Sequence, residues 1–304
     1  MEVLFVTLPI FLLIALGYLL RSFRGITREG IHALNNFVYW VSLPALILVS
    51  FWGINWFDPV TRQVLTANSI AVLGFGLALF IVLRLLPLSK KVKGGLFISG
   101  LVGNTVYMGF PIGQRALGEG SYDLFLAAAT PHLVIGIALS ILAIEWFVLR
   151  SHNPLRYLKD FLLNPLIIAL AGGITLSVLE VSGDLVDLIQ QPLTMLAGTA
   201  SPIALVTLGA FLRGAFQFRL AGLALFGSLI KLGLFPFAML STAPWLGLSG
   251  DVLVASALAS AMPTAVTAFV ISEKYDAAPQ LVATTLFLST LGALGTITAW
   301  LLFF

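Results

Sequence analysis

The sequence predicts an all-α membrane protein of ten transmembrane helices, an inverted five-plus-five repeat in which two broken helices, the fourth and the ninth, cross. Three observations carry this prediction. Of 304 residues, 59% are hydrophobic and 10% charged, at a mean hydropathy of +1.05, whereas a soluble domain carries about 25% charged residues. Basic residues fall in alternate loops, and short motifs recur in the same order 156 to 159 residues apart.

Taken in order, with roughly 17 to 25 apolar residues per span, the spans are as follows. The first, 3–20, reads "LFVTLPIFLLIALGYLL"; it lacks a basic stretch before it and is long enough to cross, so it is read as a helix and not as a cleaved leader. The second, 33–54, holds "SLPAL" around Pro44, and the third is 64–86. The fourth, 95–117, is interrupted by "VGNTVYMGFP" at 102–111. The fifth, 122–149, carries Pro131 and His132, and the sixth, 161–179, opens on "NPLIIALAGG". The seventh, 192–212, holds "ASPIA" around Pro202, and the eighth, 219–240, holds Lys231. The ninth, 250–272, contains "SAMPTAVTA", and the tenth is 279–304. Connections are short, so no soluble domain is expected.

Arg21, Arg24 and Arg28 follow the first span, Arg84, Lys90, Lys91 and Lys93 the third, and Arg150, Arg156 and Lys159 the fifth. Arg213 and Arg219 follow the seventh and Lys274 the ninth, which puts thirteen of the 16 basic residues on one side. The positive-inside rule then predicts a multi-pass protein of the cell (inner) membrane with both termini outside the cytoplasm. The bases are too scattered for a nucleic-acid partner; lipid is the surface they meet. With no cysteine, disulfides, thiolate metal sites and cysteine nucleophiles are excluded, and no metal site or catalytic residue is expected. The tryptophans lie mostly toward span ends, where indoles anchor at the interface.

The repeat is read from "LPIFLLIALG" (8–17) against "NPLIIALAGG" (164–173), "SLPAL" against "ASPIA", and the break at Asn104 against that at Pro263. Five helices per half, an odd number, force opposite orientations. The halves are 1–154 and 155–304.

Proline removes a backbone donor and glycine loosens the backbone, so a break within lipid needs protein or water to satisfy the freed groups. In inverted-repeat transporters, broken helices meet near the midplane and offer half-helix N-termini to an anion. Asn104, Thr105 and Tyr107, with Pro111 holding the backbone open, are the candidate lining of the first break. Ser260, Pro263 and Thr264 serve the second, with Thr267 on the face shared by Ser260 and Thr264.

No acidic residue lies mid-span; Glu145 sits near the end of the fifth. That argues against a cation or proton antiporter, which normally needs a midplane carboxylate. Two ionisable groups lie deep. Lys231 is either a counter-charge for an anionic substrate or a snorkelling or carbonyl-bound structural amine. His132 is either a carrier of a coupled proton or a packed neutral ring.

The stretches "IALGYLLR", "LNNFVYWVSLPALIL", "GNTVYMGFPIG", "SPIALVTLGAFL", "IKLGLFPF" and "SAMPTAVTAFVISEKYDA", in this order and over nearly the whole chain, resemble the auxin efflux carrier family. That family includes plant auxin exporters and bacterial permeases for malonate, malate and related organic acids. The resemblance implies a scaffold domain from helices 1, 2, 6 and 7 and a transport domain from helices 3–5 and 8–10. It also implies an elevator-like movement and a fold similar to that of bile acid:sodium symporters. The family's crossover asparagine matches Asn104, and its crossover prolines match Pro111 and Pro263. The second crossover has no asparagine, where plant exporters have one, and "RSHNPLRYLKD" is a short link, so a compact bacterial-type permease is the better match.

The expected function is secondary active transport of small organic anions such as malonate, malate or auxin-like carboxylates. Coupling to H+ or Na+ is open, and a homodimer through the scaffold is implied by the resemblance. A channel or membrane sensor using the same pocket is the alternative, but no charged selectivity ring or signalling domain is visible. An enzyme lacks a constellation: neither "HExxH" nor "GxSxG" occurs.

Overall fold

The computed structural model describes residues 2–23, 25–52, 58–118, 122–149, 162–181, 183–215 and 218–303. Helices, in chain order, are α1 (Glu2–Ser22), α2 (Arg28–Trp52), α3 (Pro59–Leu85), α4 (Lys90–Leu101), α5 (105–117), α6 (122–149), α7 (Pro165–Val178), α8 (Asp184–Ala215), α9 (Ala221–Leu246), α10 (Gly250–Ala261), α11 (Val266–Lys274) and α12 (Pro279–Phe303). Among the described residues six helices are long and apolar enough to cross a membrane, and shorter apolar helices accompany them. The chain is an all-helical multi-pass membrane protein. The link 150–160, with Arg150, Arg156 and Lys159, lies outside the described residues, as do Arg24 and Trp56.

Several helices begin about five residues before the hydropathy signal, because polar caps and first turns read as loop. Thr27 accepts from the Gly30 amide, Asp58 from Thr61 and Ser89 from Val92, each satisfying a donor that the first turn leaves unpaired. Lys90, Lys91 and Lys93 thus stand on the first turn of α4 rather than in a loop. Asn164 caps α7 by accepting from Leu166, with Pro165 at the first helical position, where its missing N–H costs nothing. The seventh span is also longer than its apolar run, since α8 continues through Pro192 and Pro202.

Packing divides by partner. α1 lies along α8, and α2 along α7 and α8. Elsewhere α3 and α4 pack on α6, α9 on α12, and α10 on α6. In lipid, helices associate through close van der Waals contact, which small residues allow. A Cβ on Gly17 would stand 1.9 Å from the Val206 carbonyl oxygen, and one on Gly209 1.9 Å from that of Ile14. On the α7–α2 contact, a Cβ on Gly173 would stand 2.8 Å from the Leu48 oxygen and 2.7 Å from Phe51 Cβ. Gly17 and Gly173 are 156 residues apart and their partners Val206 and Leu48 are 158 apart. The same kind of docking is therefore built twice.

Where α11 meets α2, α7 and α8, the contact is polar. Asn35 donates to Glu273 Oε2 at 2.7 Å while Thr207 donates to Asn35 Oδ1 at 2.6 Å, and His32 pairs with the same carboxylate. Asn164 donates to the hydroxyls of Tyr39 and Tyr275, at 3.0 and 2.9 Å. By contrast, Phe11 meets Phe287 and Phe211 meets Phe269 ring edge to ring.

Candidate functional site: two helix breaks joined by a backbone bridge

α4 ends at Leu101 and α5 begins at 105; α10 ends at Ala261 and α11 begins at Val266. The residues between are not helical and meet in an antiparallel bridge between Gly103 and Thr264. The Asn104 amide donates to the Pro263 carbonyl at 2.7 Å, and the Ala265 amide donates to the Val102 carbonyl at 2.9 Å. These two bonds exchange under a shift of 161 residues. Asn104 thus faces Pro263 across the bridge, and under the 161-residue shift its counterpart is Ala265.

Each break frees carbonyls in the last turn of the helix before it, which a buried site must satisfy. Ser99 O accepts from the Thr264 hydroxyl at 2.8 Å, and Ser260 O accepts from Lys231 Nζ at 2.6 Å. Lys231 reaches that carbonyl from a π-helical turn, Ile230–Leu234, in α9. A cation at a helix C-terminus is favoured by the helix dipole. Its ammonium also lies 4.8 Å from the centre of the Phe235 ring and faces Gly103, where a Cβ would come within 3.1 Å of Nζ. The lysine is fully buried, and among the described residues no carboxylate pairs with it.

The predicted site residues separate by what their polar groups already do. The Ser260 hydroxyl back-bonds to Ala257 O, and Pro263 gives its carbonyl to the bridge. Thr264 is engaged twice, its amide donating to Ser289 Oγ at 3.1 Å and its hydroxyl to Ser99 O. Asn104 and Thr105 differ. The Asn104 carbonyl accepts from Gly109, closing a π-type turn, yet its side-chain amide has no hydrogen-bond partner among the described residues although the residue is 4% exposed. The Thr105 hydroxyl is buried and also without one. A buried hydroxyl left unsatisfied is uncommon in a native interior. Tyr107 and Pro111 lie on α5, and their side chains are outside what the structure describes. Thr267 is buried in the first turn of α11, whose N-cap, Ala265, offers no side-chain acceptor.

His132 follows Pro131 in α6 and is fully buried. Its Nε2 lies 3.2 Å from Asn68 Oδ1, and the Asn68 amide donates to Val64 O and to Ser256 Oγ, both at 2.9 Å. This Asn68–Ser256 link escapes sequence reading, although an asparagine inside the apolar third span is its trace. An apolar cavity of about 430 Å³ between α3 and α6, lined by Leu73, Phe80, Phe97, Leu139 and Trp146, contains none of the bridge residues and has no charge to orient an anion. Among the described residues no group of side chains could hold a metal ion.

Helices that stop inside an apolar bundle, joined by their own backbone and bordered by an unpaired ammonium and a free carboxamide, define a transporter-type interior. Comparison with known proteins agrees. The family model described as "Membrane transport protein" matches residues 3–153 and 146–301. The chain belongs to that family, one of membrane transporters and not of enzymes. It is 27% identical to a Rhizobium meliloti protein described as "Putative malonate transporter", over 99% of this chain and 95% of the relative. It is 24% identical to an uncharacterized transporter of Methanocaldococcus jannaschii, over 97% of this chain and 96% of the relative.

Proposed function

We propose that this protein is a secondary carrier of small organic anions, with one carboxylate of the substrate held at the bridge by Asn104, Thr105 and Lys231. The observation that carries the reading is the combination at the first break of a buried, unsatisfied Thr105 hydroxyl and an Asn104 side chain with no hydrogen bond among the described residues, beside a lysine that no carboxylate neutralises there. An anion supplies what both lack: hydrogen-bond acceptors for the amide and a counter-charge for the amine. Malonate is the first compound to test, given the relative named for it; malate and auxin-like carboxylates share the recognised group. Tyr107, Pro111, Ser260, Pro263 and Thr264 frame this site rather than supply its charge.

The architecture that serves this function is an inverted five-plus-five repeat, with α4–α5 and α10–α11 as the crossed broken helices. Support comes from the two bridge bonds that exchange under one sequence shift and from the twin glycine dockings of α1 on α8 and α7 on α2. In this reading α1, α2, α7 and α8 form the scaffold, through which the protein dimerises. The remaining helices form the body that carries the substrate across in an elevator movement. The polar contacts of Glu273 and Tyr275 with Asn35, Tyr39 and Asn164 then mark the boundary that must part. Both termini face away from the cytoplasm of the cell (inner) membrane, and H+ or Na+ drives transport. The channel or sensor reading draws no specific support, since neither uses a boundary between two packed bodies.

The test is uptake of labelled malonate and malate by the purified protein in liposomes, beside Asn104→Ala. Saturable uptake that the variant loses is the expected result. Uptake unchanged by the variant moves the site elsewhere, and conductance without saturation favours the channel.

A further inference from the structure

Resting on the carrier reading, the bonding around His132 fixes its tautomer and exposes a second binding function. Both hydrogens of the Asn68 amide are committed, one to Val64 O and one to Ser256 Oγ, so Asn68 Oδ1 faces the imidazole as an acceptor. His132 Nε2 must therefore carry the hydrogen. A neutral imidazole has one N–H, which leaves Nδ1 as a bare lone pair; it is buried and without a partner among the described residues. We propose that His132 Nδ1 is the proton-binding site of this carrier, loaded together with the anion at the bridge, which makes the protein a proton–anion symporter.

The link between proton and anion is electrostatic. The Phe235 ring touches both partners, with His132 5.1 Å and Lys231 Nζ 4.8 Å from its centre. Around the imidazole stand Asn68 on α3, Ser256 on α10, and Phe235 and Lys231 on α9. Among these groups Lys231 is the basic one, and it shares the Phe235 ring with the imidazole. Other charges on the helices packed nearby are remote along the chain: Glu145 is thirteen residues further along α6, and Arg62, Asp251, Arg115 and the lysines of α4 stand near helix ends. A proton on His132 without an anion would put two cations in one apolar interior with no compensating carboxylate. An anion beside Lys231 removes that obstacle, and by reciprocity the protonated histidine favours the anion. In the cycle Nδ1 takes a proton from one aqueous phase as the anion binds, forming an imidazolium, and returns it to the other phase as the anion leaves. One proton and one anion cross together.

The test uses malonate in proteoliposomes, with two measurements. Exchange of labelled for unlabelled malonate, with no gradient, reports the carrier itself; accumulation driven by an inward proton gradient, with proton uptake followed by an internal pH dye, reports coupling. The wild type is expected to do both, with one proton entering per malonate. His132→Gln keeps an amide N–H for Asn68 and removes the titratable nitrogen, so exchange is expected to persist at weaker malonate affinity, because the favourable imidazolium is lost, while gradient-driven accumulation relative to exchange falls at least tenfold. Exchange retained with accumulation and proton entry unchanged in the variant overturns the proposal, as does wild-type uptake that follows a sodium gradient and carries no proton. If the variant does not fold, the wild-type proton-to-malonate ratio decides alone, zero being the overturning value. Absence of malonate exchange in the wild type overturns the carrier reading instead, and this inference with it.

Discussion

The two helix breaks are built on one backbone plan and finished with different chemistry. Under the shift of 161 residues Ser99 corresponds to Ser260, and each has a last-turn carbonyl that must be satisfied. The first takes a neutral hydroxyl from Thr264 and the second an ammonium from Lys231. Asn104 corresponds to Ala265, one with a carboxamide to spare and the other with a methyl group. The two bridge bonds are alike in the two breaks; the departures place an amine at the carbonyl before the second break and a carboxamide at the first. A hydroxyl would have satisfied Ser260 O just as it satisfies Ser99 O. A fully buried ammonium is a costly substitute, so its presence is better explained by a ligand than by stability.

The sharpest way to break this comparison is Lys231→Met. If the ammonium serves an anion, losing it removes a buried charge pair worth about 3 kcal/mol in the loaded state, and malonate affinity should fall roughly 100-fold. Stability should change little, because the cost of leaving Ser260 O unpaired, about 1–3 kcal/mol, is offset by no longer burying a charge. Affinity and thermal unfolding in detergent are read on the same sample. A large loss of stability with affinity retained would make Lys231 a structural cap. Asn104→Ala is expected next: a charge-assisted bond of about 1.5–3 kcal/mol is lost, which is roughly 10- to 100-fold in affinity. Its unfolding temperature should stay where it was, since the side chain makes no hydrogen bond among the described residues.

Sequence alone carries much of this site but not its division of labour. The breaks are legible because Gly103 and Pro263 stand with small polar residues inside otherwise apolar spans, and Asn104 and Lys231 are legible as polar groups where lipid disfavours them. Which of these groups is already occupied is not legible. The Ser260 and Thr264 hydroxyls donate to Ala257 O and Ser99 O, and the Thr264 amide donates to Ser289 Oγ. Those partners are set by tertiary approach, which no local pattern records. Helix starts such as Arg28 and Lys90 are missed for another reason, because a capped polar first turn has the composition of a loop. The bridge itself also escapes: motif spacing sets Asn104 beside Pro263 as repeat partners, but not the backbone hydrogen bond that joins them.

Thr264→Val separates the structural half of the site from the ligand half. It deletes the donor to Ser99 O and leaves a buried carbonyl unpaired, which costs about 1–3 kcal/mol. Thermal unfolding should therefore drop, while malonate affinity changes less than in Asn104→Ala. The reverse ranking would mean that the Thr264 hydroxyl leaves Ser99 for the substrate.

The smallest expected effect is the most informative about the asymmetry. Ala265→Asn gives the second break the residue that the first already has, at an N-cap whose extended backbone (φ −75°, ψ 150°) suits asparagine. Its side chain can accept from the amides of the first turn of α11, so the protein should gain up to about 1 kcal/mol of stability, with malonate affinity altered by less than about threefold, under 0.7 kcal/mol. That outcome fits a substrate gripped from the Asn104 side alone. A tenfold change in affinity, in either direction, would place the N-terminus of α11 in contact with the anion as well. The two breaks would then share the ligand, and the alanine would be a setting of affinity instead of a position left unused.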